Sequence, residues 1–239
     1  MGNAVRMRTL AAEVVSLTTP ARAALDADAA RAYLRRCNRI IRRHAAALTR
    51  FDEALGDGDH GDNLLAGFGA VTMQISAASS NAAADDLPSL LRSVGDSLVA
   101  NVGGASGPLY GAAFAEAGFA LRGLDPDDLP ASLAVILEAA AAGLSRRGHC
   151  RVGDKTIYDT LAPAAVALRA AADRNADPPS ALREMVMAGA HGMRSTTALV
   201  ARRGLALRLG ERSRGHRDPG AASCLLLLLA LARDDPRDG

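Results

Sequence analysis

Four apolar helical segments are each preceded by an aspartate with a proline one or two residues on: Asp86-Leu-Pro88, Asp128-Leu-Pro130, Asp177-Pro-Pro179 and Asp218-Pro-Gly220. This pairing marks the start of a helix. The carboxylate accepts from a first-turn N–H that has no partner inside the helix, and proline suits that turn because it has no N–H to leave unbonded. Asp26 with Asp28, Asp62, Ser106-Gly-Pro108, and Asp154 with Thr156 supply four more starts. The starts predict helices running from Asp28 to about Arg50, Asn63–Ser80, Ser89–Ala100, Ser106 to Arg122, Asp128 to Arg146, Thr156 to Arg174, Ser180–Arg203, and from Asp218 onward. Apolar residues recur at spacings of three and four, with no alternating stretch long enough for a strand. Aromatic residues make up only 3% of the chain and tryptophan is absent, which favours close-packed helices over a sheet sandwich. Eight helices joined by short connections predict an all-α, antiparallel up-and-down bundle.

The segments differ from one another, so the chain is no solenoid repeat. Residues 1–25 read as a loosely held extension, 26–233 as one helical domain and 234–239 as a frayed tail. A formal net charge of +2 gives no bulk reason to expect a nucleic-acid partner. Cys37, Cys150 and Cys224 are few, odd in number and widely spaced, as in a reduced, cytoplasmic setting. The N-terminus has no continuous apolar core of a signal peptide. The run Cys224–Ala232 is far shorter than the roughly 20 residues that span a bilayer, so it reads as a helix buried among others and no membrane is expected.

Four inter-helix loops carry chemistry. The first, Asp57-Gly-Asp-His-Gly-Asp-Asn63, has Asp52 five residues upstream. Asp52, Asp57 and Asp59 lie within reach of one point, and carboxylates so close repel unless a cation sits between them; a hard divalent ion such as Mg²⁺ accepts such ligands. The alternative is a helix-capping loop with solvated aspartates. A calcium EF-hand does not fit, because Phe68 occupies the twelfth position, where a bidentate glutamate is required. The second, Val102-Gly-Gly-Ala-Ser-Gly-Pro108, permits close backbone approach and leads into a helix N-terminus that favours an anion, though without the Lys-Ser/Thr ending of a Walker A loop. The third, Gly153-Asp-Lys-Thr156, holds the chain's only lysine, Lys155, placed to pair with nearby carboxylates or to touch phosphate as a point charge. The fourth, Leu209–Ser223, is the most basic, with Arg212, Arg214, His216 and Arg217, as phosphate binding would want.

In an up-and-down bundle alternate connections lie at the same end. These four loops follow the first, third, fifth and seventh helices, so they converge on one rim. An acidic cluster facing phosphate-friendly loops is the arrangement of a nucleotide site.

Taken together, Gly56-Asp-Gly-Asp-His-Gly-Asp-Asn63, Gly103-Gly-Ala-Ser-Gly-Pro-Leu109, Gly153-Asp-Lys-Thr156 and Leu209-Gly-Glu-Arg-Ser213 through His216 to Asp218-Pro-Gly220 resemble, in order and spacing, the nucleotide-binding L subunit of dihydroxyacetone kinases. The resemblance runs from about Ala29 to Ala232. It implies an eight-helix up-and-down barrel with the nucleotide, ADP or ATP, at one rim. It implies two Mg²⁺ ions on Asp52, Asp57 and Asp59, and nucleotide contacts at His60, Gly61, Asp62, Asn63, Ala105, Ser106, Gly148, Ile157 with its neighbour Thr156, and Asp218, Pro219 and Gly220. It also implies a kinase without a covalent residue of its own, inactive without a K subunit that holds the sugar. In phosphotransferase-linked systems an M-type phosphohistidine protein recharges the bound nucleotide; in the others ATP exchanges.

The chain departs from the family pattern after Gly204. Leu205 stands where an arginine is expected to reach the nucleotide, and Arg208 is a candidate substitute from a shifted position. Ile157 stands where methionine is common. Three rival roles stand beside this reading: a kinase subunit for another triose or tetrose, a nucleotide-sensing partner of a regulator, and a lipid-carrying barrel with a degenerate rim, for which Leu205 speaks and against which the intact aspartate trio speaks.

Overall fold

A computed structural model describes residues 25–78, 86–121, 124 and 128–233. The expected N-terminal extension and C-terminal tail lie outside them, except Leu25, which packs against the core. Among the described residues are eight α-helices: α1 Ala27–Glu53, α2 His60–Ala78, α3 Leu87–Asn101, α4 Ser106–Ala120, α5 Leu129–Gly148, α6 Tyr158–Asp173, α7 Pro178–Ser195 and α8 Pro219–Leu231. A 3₁₀ segment, Leu205–Ser213, joins α7 to α8, and the described residues include no strand.

Five of the aspartate signals act as the sequence demands; Asp154 does not, because α6 starts at Tyr158 without a side-chain cap and the Asp154 carboxylate accepts the Arg151 N–H instead. Asp26, Asp86, Asp128, Asp177 and Asp218 each accept from the backbone N–H three residues on, at 2.7–3.1 Å. Such a cap is worth about 1 kcal/mol. Asp62 is different. The helix starts earlier, at His60, so Asp62 stands exposed in the first turn, where its charge suits the helix dipole.

Each helix packs on the next in sequence, and α8 packs on α1, which closes the ring. Helix α8 also packs on α6 and α7, and every residue from Ala221 to Ala230 is buried. Burial of one leucine side chain stabilises by roughly 1.5–3 kcal/mol, so the run Leu225–Leu229 is a major contributor to ring closure. Helix α5 is long and apolar enough to cross a membrane by length and composition; half of its most apolar window is buried between its neighbours. The ring encloses an apolar cavity of about 350 Å³, lined by Tyr33, Leu91, Phe114, Leu133 and Leu228 among others.

One boundary differs clearly from expectation. Helix α7 ends at Ser195 rather than Arg203. The buried Thr196 hydroxyl donates to the Met193 carbonyl and accepts from the Asp218 N–H at 3.2 Å, and Gly215 N–H donates to the Thr197 carbonyl. These bonds turn the chain back across the rim, where α7 would otherwise have run on into solvent.

Candidate functional site

The acidic turn is built around one carboxylate. Asp52 sits in the last turn of α1 and is buried, and its Oδ2 accepts the backbone N–H groups of Gly58, Asp59 and His60 at 3.0–3.2 Å. Gly58 permits this wrap with a left-handed φ of 79°. Asp57 and Asp59 are exposed, and one oxygen from each of the three aspartates lies within 4.8 Å of the others. Burial pushes the Asp52 carboxyl up from its ordinary range, the three N–H groups push it down, and Asp57 pushes it up again. A hard cation would relieve both upward causes, and this all-oxygen donor set fits Mg²⁺.

His60 opens α2 beneath that turn. Its Nε2 lies 2.9 Å from Ser223 Oγ, its Nδ1 lies 3.2 Å from Ser106 Oγ, and Ser223 Oγ lies 2.7 Å from Tyr110 Oη. The ring is buried, which lowers its pKa to about 4 and keeps the imidazole neutral near neutral pH. Residues of α2, α4 and α8 are thereby tied into one hydrogen-bonded chain under the rim. Helix α4 has no side-chain cap at Ala105, so its first-turn N–H groups remain donors for an anion.

A cavity of about 440 Å³ opens above these groups. All four loops line it, so the convergence expected from loop parity is present in the fold. Its wall includes Asp52, Asp57, Asp59, His60 and Asn63 from the first loop and Ala105 and Ser106 from the second. Gly148, Thr156 and Ile157 come from the third, and Asp218, Pro219 and Gly220 from the fourth. Tyr110 and Ile157 also face the apolar cavity below and form a partition between the two. Gly61 and Asp62 do not reach the wall. A Cβ on Gly61 would stand 2.1 Å from the Ala45 carbonyl oxygen, so this glycine lets α2 press against α1.

Lys155 does not present a phosphate-facing ammonium. It is buried, and its Nζ donates to the backbone carbonyls of Thr196 and His216, clamping the α7–α8 connection to the α5–α6 loop. Burial lowers its pKa, while Asp218 and Asp159 raise it. Burial in turn lifts Asp218 to about 7, against the Ala221 N–H and Lys155, which both lower it. The basic side chains of the fourth loop are likewise absent from the wall. Arg214 donates to the Ala198 carbonyl and to Glu211, and Arg217 lies over the Phe51 ring at 5.6 Å. Arg208 is exposed and also off the wall.

Sequence reasoning missed several groups. Asp159, in the first turn of α6, is buried and accepts from Gly153 N–H at 2.6 Å and Thr156 N–H at 2.7 Å, which shapes the third loop. Its spacing of three from Thr156 was the available signal. Arg147, Cys150 and Arg203 line the cavity without any motif to announce them.

The DAK2 domain family model matches residues 54–233. The ADP-binding subunit DhaL of PEP-dependent dihydroxyacetone kinase 2 from Listeria innocua is 39% identical over 189 residues, covering 79% of this chain and 86% of the relative. The ADP-binding subunit DhaL of the PEP-dependent dihydroxyacetone kinase of Escherichia coli is 36% identical over 200 residues, covering 84% and 93%. The crystal structure of the dihydroxyacetone kinase of C. freundii superposes with a TM-score of 0.64 at 25% identity, over 91% of this chain but only 37% of that longer chain. With the family match spanning most of its length and relatives covered nearly end to end, the chain belongs to the DAK2 domain family.

Proposed function

We propose that this chain is the nucleotide-binding, phosphoryl-transferring subunit of a kinase for dihydroxyacetone or a related short ketose, working on sugar held by a separate K-type subunit. The observation that carries the reading is the meeting of Asp52, Asp57 and Asp59 with the uncapped N-terminus of α4 across one cavity of nucleotide-compatible size. The high coverage of relatives named as ADP-binding subunits of PEP-dependent kinases supports the phosphotransferase-linked form, with an M-type phosphohistidine protein recharging the bound nucleotide.

Asp52, Asp57 and Asp59 would hold Mg²⁺, two ions by resemblance to the family. Metal there would neutralise phosphate oxygens and align the transferring group for in-line displacement. Asp52 would do so while anchored by three backbone donors, which preorganise the cluster. Ser106 and the N–H groups that open α4 would bind phosphate oxygens. His60, held neutral between two serine hydroxyls, fixes Ser106 without adding charge. Asn63 reaches the same wall, Gly61 acts indirectly by letting the first turn of α2 press against α1, and Asp62 adds a negative charge to that turn. Gly148, Thr156 and Ile157 would flank the base, and Asp218, Pro219 and Gly220 complete the floor. No group on this chain needs to form a covalent intermediate. Val152, Leu205 and Leu207 are exposed on the loops about the mouth, where apolar contact with the sugar-bearing subunit would exclude water during transfer.

Quantifying nucleotide and Mg²⁺ released on denaturing the purified protein tests this reading. Tightly held ADP supports the phosphotransferase-linked form. Empty protein that turns over ATP only with a K-type subunit supports simple exchange. Absence of nucleotide binding even in excess Mg²⁺ refutes both.

A further inference from the structure

Among the described residues the cavity wall carries three arginine or lysine side chains, and one of them, Lys155, is already engaged by two backbone carbonyls. Arg147 is exposed next to Gly148, and among the described residues no carboxylate is seen to fix its guanidinium. Arg203 is held differently. Its Nε lies 3.3 Å from Oδ2 of Asp154, a carboxylate whose side chain is only 3% exposed and which also accepts the Arg151 N–H at 3.2 Å. The ion pair engages the inner nitrogen of the guanidinium, so the two terminal amino groups remain as donors, and the Arg203 side chain keeps 42% of its surface exposed.

The backbone carrying Arg203 is fastened over the acidic turn. Ala201 and Ala206 are buried against Leu55, which lies between Asp52 and Asp57, and Leu209 packs on the same small cluster. Ala201 N–H donates to Ser213 Oγ at 2.8 Å, and Arg202 N–H donates to the Asp154 carbonyl at 3.1 Å. Arg203 therefore stands between two fixed points, Leu55 at the aspartate trio and Asp154 in the third loop. Leu205, two residues on, lines the same cavity but offers only an apolar side chain.

We propose that Arg203 is the phosphate-binding arginine of this site, supplying from position 203 the guanidinium that position 205 lacks. This rests on the nucleotide reading above. A planar fork locked at Nε by a buried carboxylate presents its outer donors in a fixed plane, which suits two phosphate oxygens at once and loses little freedom on binding. Asp154 is then a positioning residue, acting through Arg203.

Isothermal titration of the purified full chain with ADP in excess Mg²⁺, and separately with adenosine, tests the assignment. Arg203→Ala is expected to weaken MgADP at least 10-fold, the loss expected for one charge-assisted phosphate contact, while adenosine affinity stays at the parent value. Arg203→Lys should recover part of the loss, and Arg208→Ala should bind both ligands as the parent does. Because Arg203→Ala strands the buried Asp154 charge, the paired variant Asp154→Asn with Arg203→Gln keeps a neutral hydrogen bond there; it should show the same selective loss. Parent-like MgADP affinity in Arg203→Ala or in the paired variant would overturn the proposal, and so would equal losses for adenosine and MgADP. Failure of the unsubstituted chain to bind MgADP would instead bring down the nucleotide reading and this proposal with it.

Discussion

His60 Nε2 and Ser223 Oγ lie 2.9 Å apart, joining the first turn of α2 to α8 beneath the acidic cluster. Ser223 also meets Tyr110 Oη, donates to the Gly220 carbonyl and is itself fully buried. Replacing it with alanine strands a ring nitrogen and a phenol together. Ser223→Ala should cost about 1–3 kcal/mol, the usual penalty for unsatisfied buried polar groups, as measured by urea denaturation. A loss below about 0.5 kcal/mol would mean that the network contributes no more than a surface contact.

Two groups near this network titrate in opposite senses. Burial lowers His60 to about 4, below its unfolded value, so the unfolded chain takes up a proton first and His60 costs stability as pH falls from about 6.5 to 4. Burial raises Asp218 to about 7, so the folded chain takes up its proton first and Asp218 costs stability as pH rises from about 4 to 7. The contributions offset each other in the parent. Relative to the parent, His60→Asn should become more stable on moving from pH 7 to pH 5, and Asp218→Asn, which keeps the helix cap, should become less stable. Parallel pH profiles for parent and variants would contradict both assignments.

Lys155 makes a third prediction. Its ammonium satisfies the Thr196 and His216 carbonyls at the point where the chain turns back across the rim. Lys155→Met keeps the apolar stem and removes the donor, which should cost about 1–3 kcal/mol and loosen the Thr196–Asp218 connection. Faster amide exchange confined to residues 196–218 is the diagnostic readout. Unchanged exchange there would show that the clamp is dispensable.

Much of the fold was legible because it is written locally. Asp26, Asp86, Asp128, Asp177 and Asp218 cap their own helices with bonds spanning three residues, and a local signal of that kind survives without tertiary context. Loop parity then brought the four loops to one end from helix count alone. The segment 196–213 was not legible. Its apolar residues, Ala198, Leu199, Val200 and Ala201, continue the helical pattern of α7, and the bonds that break the helix come from Asp218 and Gly215, far along the chain. The cation on the cavity wall was misplaced for the same reason. Arg208 looks as available as Arg203 in sequence, and only the packing of Ala201 and Ala206 on Leu55 decides which faces the site. Lys155 misled in the opposite way: its singularity in the sequence suggested a ligand contact, whereas the fold uses its charge to hold two carbonyls.

The close approach of α2 to α1 gives a fourth test. A methyl group on Gly61 would meet the Ala45 carbonyl oxygen at 2.1 Å and Thr49 Oγ1 at 2.5 Å, and neither helix backbone can yield without shifting the other. Gly61→Ala should lower stability by about 1–3 kcal/mol through overpacking and should displace His60 and Asn63 from the cavity wall. Mg²⁺-dependent nucleotide affinity should therefore fall together with stability. Loss of stability with unaltered affinity would separate the helix contact from the site.

The aspartate trio supports the most direct prediction. Asp57 is exposed and accepts none of the backbone bonds that shape the turn, which rest on Asp52. Asp57→Asn therefore removes a negative charge from the cluster while leaving the turn's own hydrogen bonds in place. Helicity by circular dichroism and the denaturation midpoint should match the parent, and phosphoryl transfer in the presence of the sugar-bearing subunit should be abolished. Mg²⁺ affinity in the presence of nucleotide should fall by at least 10-fold, because a hard cation loses an anionic oxygen ligand for a neutral one. Asp52→Asn is the contrasting case, since it alters both the cluster and the acceptor of three N–H groups, and it should lose stability as well as transfer. If Asp57→Asn transferred phosphoryl groups at the parent rate, the three aspartates would be a capping and turn-forming device, and the metal assignment would have to be withdrawn.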